Sequence, residues 1–122
     1  MICEEKKFYV CKHCGNLVGM IHNSGAPMIC CGDQMTELVP NSVEASAEKH
    51  LPVLTVSGST VSVKVGSVPH PMTQEHHIAW VFLQTEQGGQ RKCLAIDGAA
   101  EAEFAVTASD KVVAAYAYCN LH

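Results

Sequence analysis

Polar and apolar residues alternate along Thr60-Val61-Ser62-Val63-Lys64-Val65. A period of two puts the three valines on one face and predicts a half-buried strand. Ile78 to Gln84 is a mostly apolar run containing Trp80 and Phe82, and reads as a central strand. Arg91 to Ile96, Glu103 to Thr107 and Val112 to Cys119 follow as further strands. Ser57-Gly58-Ser59, Gly88-Gly89, Asp97-Gly98 and Ser109-Asp110 supply turn chemistry between them. Short strands at this spacing predict an antiparallel sandwich or barrel. One short helical turn is expected at Val43 to Lys49, capped by Asn41 with Glu44 three residues on.

The N-terminal stretch is different. Phe8-Tyr9-Val10 and Leu17 to Ile21 read as short strands, with turns near Gly15-Asn16 and Asn23-Ser24-Gly25. A piece this short cannot bury a stable core by itself, so a metal knot has to hold it. Leu38-Val39-Pro40-Asn41-Ser42 reads as a linker. The expected organisation is a small metal-binding domain over residues 1–37 and a mainly β domain over 38–122, with no internal repeat or low-complexity tract.

Composition narrows the class. The chain has 122 residues, of which 48% are hydrophobic and 16% charged, so a real core can form. A net charge of -4 without a lysine- or arginine-rich run gives no footprint for nucleic acid. No apolar stretch approaches the roughly 20 residues of a membrane span. Met1-Ile2-Cys3-Glu4-Glu5-Lys6-Lys7 turns charged at once and offers no apolar signal core. A cytoplasmic protein is therefore expected. Seven cysteines in such a chain favour metal binding over a disulfide scaffold, and the odd count points the same way.

Cys11-Lys12-His13-Cys14 is a C-x-x-C, followed by the adjacent pair Cys30-Cys31. A C-x-x-C turn aims two thiolates at one point, and four thiolates complete a tetrahedral shell for iron or zinc. Spacing does not separate the two metals. Side chains of sequence neighbours converge less easily, so a distorted tetrahedron is expected. His13, inside the C-x-x-C loop, and His22 read as solvated.

His50, His70, His76 and His122 are spread over the β region, with Cys119 near the end. Cys119-Asn120-Leu121-His122 is a compact C-x-x-H at the exit of the last expected strand. Val68-Pro69-His70-Pro71 holds a histidine between two prolines, in a loop stiff enough for a ligand that must not move. Each histidine alone is ordinary, but the set with one thiolate points to a second metal site.

These residues resemble the desulfoferrodoxin family. The resemblance rests on Tyr9-Val10-Cys11-Lys12-His13-Cys14-Gly15-Asn16, Cys30-Cys31-Gly32, Glu48-Lys49-His50, Val65-Gly66-Ser67-Val68-Pro69-His70-Pro71-Met72, His76 ahead of Trp80, and Cys119-Asn120-Leu121-His122. It spans essentially the whole chain. It implies a desulforedoxin-like, rubredoxin-type N-terminal domain and an immunoglobulin-like β-sandwich. It implies two iron ions and no organic cofactor: one iron held by Cys11, Cys14, Cys30 and Cys31, the other by His50, His70, His76 and His122 with Cys119 axial. The family pattern gives the ligand to His76 and not to its neighbour His77. Family members continue a little past the residue matching His122. Cys3 and Cys93 have no family role, and Cys93, in an expected strand, reads as a small buried hydrophobe.

The activity the resemblance implies is superoxide reduction to hydrogen peroxide, a detoxification step in an anaerobe or microaerophile. Four imidazoles and one thiolate leave one iron position open for superoxide. A local positive field helps an anionic substrate approach an acidic protein. Lys49 resembles the family lysine that attracts superoxide and helps deliver a proton. Glu48 resembles the glutamate that occupies the sixth position of the oxidised iron. An electron donor such as rubredoxin and a homodimer are expected as partners. The competing class is a non-catalytic rubredoxin-like electron carrier, which would need only the four cysteines. Superoxide dismutase is the enzymatic rival, and it would also make oxygen.

Overall fold

The structure is a computed structural model that describes residues 6–39, 52–66 and 71–119. The chain divides into two compact units, Met1–Ser42 and Val43–His122. All elements among the described residues are strands: β1 Lys7–Val10, β2 Leu17–Met20, β3 Ile29–Cys30, β4 Asp33–Gln34, β5 Thr36–Leu38, β6 Pro52–Ser57, β7 Thr60–Val65, β8 Ile78–Thr85, β9 Gly88–Cys93, β10 Glu101–Ala105 and β11 Val112–Cys119. Among them is no helix long and apolar enough to cross a membrane.

In the first unit β1 is the middle strand of a sheet ordered β2-β1-β5, and β3 and β4 form a separate hairpin. Phe8, Cys11 and Met35 are its buried apolar residues. Leu38, expected in the linker, pairs with Phe8 as the end of β5.

The second unit contains two antiparallel three-stranded sheets, ordered β10-β7-β6 and β11-β8-β9. Alternation explains the first. Val61, Val63 and Val65 of β7 are buried, and Phe104 and Ala102 of β10 stand opposite Val61 and Val63 on the same face. These residues join Val81 and Leu83 of β8 in one core. At the core's rim the ammonium of Lys92 lies 5.5 Å over the Phe104 ring.

β8 does not alternate because both of its faces are covered. Trp80 and Phe82 point away from the core, where β11 sets Tyr118 and Tyr116 directly opposite them. Trp80 stacks on Tyr118 with centroids 5.4 Å apart, and Phe82 meets Tyr116 at 6.4 Å. On β9, Gly89 lies under the Phe82 ring, and a Cβ there would sit 2.2 Å from its Cζ. That close approach moves the expected turn. Gly88-Gly89 begins β9, the turn falls at Glu86-Gln87, and the strand starts three residues before the expected Arg91.

Further expectations need correction. β6 was not foreseen, because its apolar residues do not alternate with burial: Val53, Leu54 and Val56 are all exposed on this edge strand. Cys93 is exposed instead of buried. It sits opposite Trp80 on the outward face of the edge strand β9, where Arg91 Nη1 donates to its Sγ at 2.9 Å. β10 begins and ends two residues earlier than expected. The expected helical turn at Val43 to Lys49 lies outside the described residues.

Candidate metal centre

Two turns build the four-cysteine cluster. Cys11 follows β1, and the chain then turns back into β2. The Gly15 N–H donates to the Cys11 carbonyl at 2.8 Å, and the Cys11 N–H donates to the Asn16 carbonyl at 2.8 Å. Gly15 takes φ 83, the left-handed backbone that closes this turn without a Cβ clash. Cys11 and Cys14 therefore face the same point.

The second turn is the β3–β4 hairpin. Cys30 pairs with Asp33, so Cys31-Gly32 is a two-residue loop. Both of its residues have positive φ, 53 for Cys31 and 79 for Gly32. Hairpins favour such turns because their twist matches the strands. Cys31 is the non-glycine residue that adopts this conformation among the described residues. In a strand, neighbouring side chains point to opposite faces. The left-handed turn at Cys31 cancels that alternation and lets adjacent thiols share one site. A left-handed non-glycine residue costs about 1–2 kcal/mol, which ligation must offset.

The four Sγ atoms all lie within 4.8 Å of one another. Cys14 Sγ and Cys30 Sγ are 3.6 Å apart. A tetrahedral ion with metal–sulfur bonds of about 2.3 Å needs sulfur–sulfur distances near 3.8 Å, so this donor set fits one iron or zinc. Cys11 is buried, Cys30 half-buried, and Cys14 and Cys31 are exposed, so one side of the cluster opens to solvent.

Cys11, Cys30 and Cys31 are shifted by their neighbours. The backbone N–H of Cys14 lowers Cys11 from 9.0 to about 6 against the opposing effect of burial, with the His13 N–H adding to the lowering. Cys31 is pushed up to about 12, first by its contact with the Cys14 thiol and then by Cys11. Cys30 is raised, again chiefly by Cys14. Contact with Cys14 thus favours the protonated forms of Cys30 and Cys31, whereas a bound cation would favour the thiolates.

Hydrogen bonds surround the cluster. The Asn16 N–H donates to Cys14 Sγ at 3.4 Å, and Asn16 Nδ2 donates to Cys30 Sγ at 3.6 Å. His13, expected to be solvated, is exposed but its Nε2 is hydrogen-bonded to Asp33 Oδ2, which ties the C-x-x-C turn to the β3–β4 hairpin. Sequence reasoning gave Asn16 no role. Its place directly after Cys14-Gly15 was the available signal.

Of the histidine set, the described residues include His76 and Cys119. Glu48, Lys49, His50, His70 and His122 lie outside them. Cys119 is 4% exposed at the end of β11, and the Nε2 atom of His76 is buried. The register sets Cys119 opposite Ile78, two residues beyond His76. Here Tyr118 pairs with Trp80 and Cys119 with Ile78, leaving Ala79 as an extra residue on β8. This bulge turns Ile78 into the core beside Cys119. The loop before β8 is held by Thr73. Its N–H and Oγ1 both donate to the His76 carbonyl, at 2.9 and 3.1 Å, and the His77 ring bonds to its carbonyl through Nδ1 at 2.9 Å. A buried imidazole nitrogen and a buried thiol therefore occupy the same end of one strand pair, with donor chemistry suited to iron.

Comparison with known proteins extends this picture. The Desulfoferrodoxin family pattern matches residues 42–122. A desulfoferrodoxin of Nitratidesulfovibrio vulgaris is 41% identical over 116 residues, covering 95% of this chain and 90% of that protein. A desulfoferrodoxin homolog of Archaeoglobus fulgidus is 40% identical and covers 98% of this chain and 94% of its own length. The crystal structure of the superoxide reductase from Treponema pallidum superposes with a TM-score of 0.82 at 43% identity, covering 97% of this chain and 93% of that one. A family pattern through the sandwich and relatives at this identity over nearly the full length place the chain in one group: it belongs to the desulfoferrodoxin family.

Proposed function

We propose that this protein is a superoxide reductase, which converts superoxide, one electron and two protons into one hydrogen peroxide. The buried Cys119 thiol, set by the β8–β11 register beside the segment that carries His76, is the observation that supports this most. The similarity to the Treponema pallidum superoxide reductase agrees with it. In this reading His50, His70, His76, His122 and Cys119 would hold one iron. Iron held there would supply the one-electron chemistry that reduces the substrate anion. Lys49 would provide positive charge for the substrate anion and help a proton reach it, and Glu48 would be the carboxylate that competes with the substrate for the iron. The bulge at Ala79 keeps Cys119 and Ile78 facing inward, which keeps water from the thiolate side.

Cys11, Cys14, Cys30 and Cys31 hold a second iron that receives electrons from a small donor such as rubredoxin. Its open side, formed by Cys14 and Cys31, is where an electron enters. The protein works as a homodimer in the cytoplasm, in oxidative-stress defence of an anaerobe or microaerophile. The test is Cys119→Ser and His76→Ala, each measured for iron per chain and for superoxide reduction. Both variants should keep the four-cysteine iron, lose the other iron and lose turnover. Two irons and wild-type turnover in either variant would refute the assigned site.

A further inference from the structure

Thiolates only accept hydrogen bonds, so the donors aimed at a four-sulfur cluster set how easily it carries extra negative charge. Among the described residues, Asn16 reaches two different sulfurs of the cluster. Its backbone N–H donates to Cys14 Sγ at 3.4 Å. Its side-chain Nδ2 donates to Cys30 Sγ at 3.6 Å. These sulfurs belong to different turns, the C-x-x-C loop and the β3–β4 hairpin, and they lie 3.6 Å apart. The Asn16 carbonyl is itself engaged by the Cys11 N–H at 2.8 Å, so the residue is fixed by its own backbone before its side chain reaches across. The donors sit at the exposed Cys14 and the half-buried Cys30, next to the solvent-facing side of the cluster.

We infer that Asn16 is a positioning residue for the four-cysteine iron: its amide spans the two turns and stabilises the reduced centre over the oxidised one. The inference rests on the reading that these cysteines hold iron. Reduction adds one electron to the cluster, and that charge is spread over the four sulfurs. N–H donors pointing at sulfur favour the more negative, ferrous state. Removing the side-chain donor therefore makes the centre harder to reduce. A carboxylate in its place makes it harder still.

The experiment compares wild type with Asn16→Ala, Asn16→Asp and Asn16→Gln. Each purified protein is first assayed for iron and zinc. The visible charge-transfer band of the four-cysteine centre is then titrated against potential. At a potential where wild type is half reduced, the reduced-to-oxidised ratio should fall about threefold in Asn16→Ala and about tenfold in Asn16→Asp, where tenfold is 59 mV for a one-electron couple. Asn16→Gln keeps a donor and should recover most of the wild-type potential. Mere damage to the fold would not follow the order Gln, Ala, Asp. If Asn16→Ala fails to hold iron while Asn16→Gln holds it, the donor is needed to keep the thiolates together, which also supports the inference. Wild-type potentials in loaded Asn16→Ala and Asn16→Asp would overturn it, as would a glutamine variant no better than the alanine one. Absence of iron from the wild-type cluster would instead defeat the reading beneath it.

Discussion

The two units of this chain are stabilised by different means. The sandwich buries Val61, Val63, Val65, Val81, Leu83 and Phe104 between its sheets. Among its described residues the N-terminal unit buries little beyond Phe8 and Met35, and the remaining buried apolar residue there is Cys11, a member of the cluster. A small module with so few buried side chains needs another source of stability. Its two tight turns, with left-handed backbone at Gly15, Cys31 and Gly32, bring together four thiols whose proximity raises Cys30 and Cys31. In the proposed reading a bound cation joins the four sulfurs and becomes the core of this unit. The same chain thus carries one unit ordered by burial and another that, in the proposed reading, is ordered by ligation.

The largest effect should come from breaking the ligation. Cys11→Ser removes the buried thiol, and structural metal sites contribute about 10–16 kcal/mol to folding small metal modules. Amide exchange should lose protection across residues 6–39 and keep it across β7, β8 and β11. Equal loss in both units would show that they fold as one and would break the comparison. The reverse experiment is Phe104→Ala. Phe104 is 1% exposed, and its removal from the core should cost about 3–5 kcal/mol. Denaturant unfolding of the sandwich should shift accordingly, while the visible band of the four-cysteine centre stays unchanged at low denaturant.

A smaller effect concerns pH. With Cys11 near 6 and Cys31 near 12, loading the cluster at neutral pH displaces protons held by Cys31 and by the raised Cys30. Metal retention should therefore weaken as pH falls, and weaken further below about 6, where Cys11 also takes up a proton. In the metal-free unit the signs oppose. The lowered Cys11 gives stability that is full above its unfolded value near 9.0 and is lost as pH falls through about 6. The raised Cys31 gives stability that is full below that value and is lost as pH rises toward about 12. Competition with a chelator at several pH values measures the loaded case. Retention that does not change between pH 8 and 6 would contradict the thiol assignments.

The sandwich was legible where one face is wet. Thr60–Val65 appears at its expected bounds because alternation and turn residues act together, and Val112–Cys119 also appears at its expected bounds. Prediction failed where tertiary contacts override local signals. Gly88-Gly89 looks like a turn, but the Phe82 ring needs the space a glycine leaves inside β9. Cys93 looked like a core residue, but register with Trp80 puts it on the outer face of an edge strand. The four-cysteine cluster was readable from the C-x-x-C and the second pair. How Cys30 and Cys31 turn to one point was not, since it depends on a left-handed Cys31. The histidine set with Cys119 was visible in the sequence as a second candidate metal site, its ligand roles came from resemblance to a family, and among the described residues the structure adds the burial and register of Cys119 and His76.

The most direct test of the proposed activity is product stoichiometry. The iron-loaded protein, kept reduced by a chemical donor, is given superoxide while hydrogen peroxide and oxygen are both measured. Superoxide reduction predicts one hydrogen peroxide for each superoxide consumed, with one electron drawn from the donor and no oxygen formed. Half as much peroxide accompanied by oxygen, with no electrons drawn from the donor, is dismutation and would contradict the account.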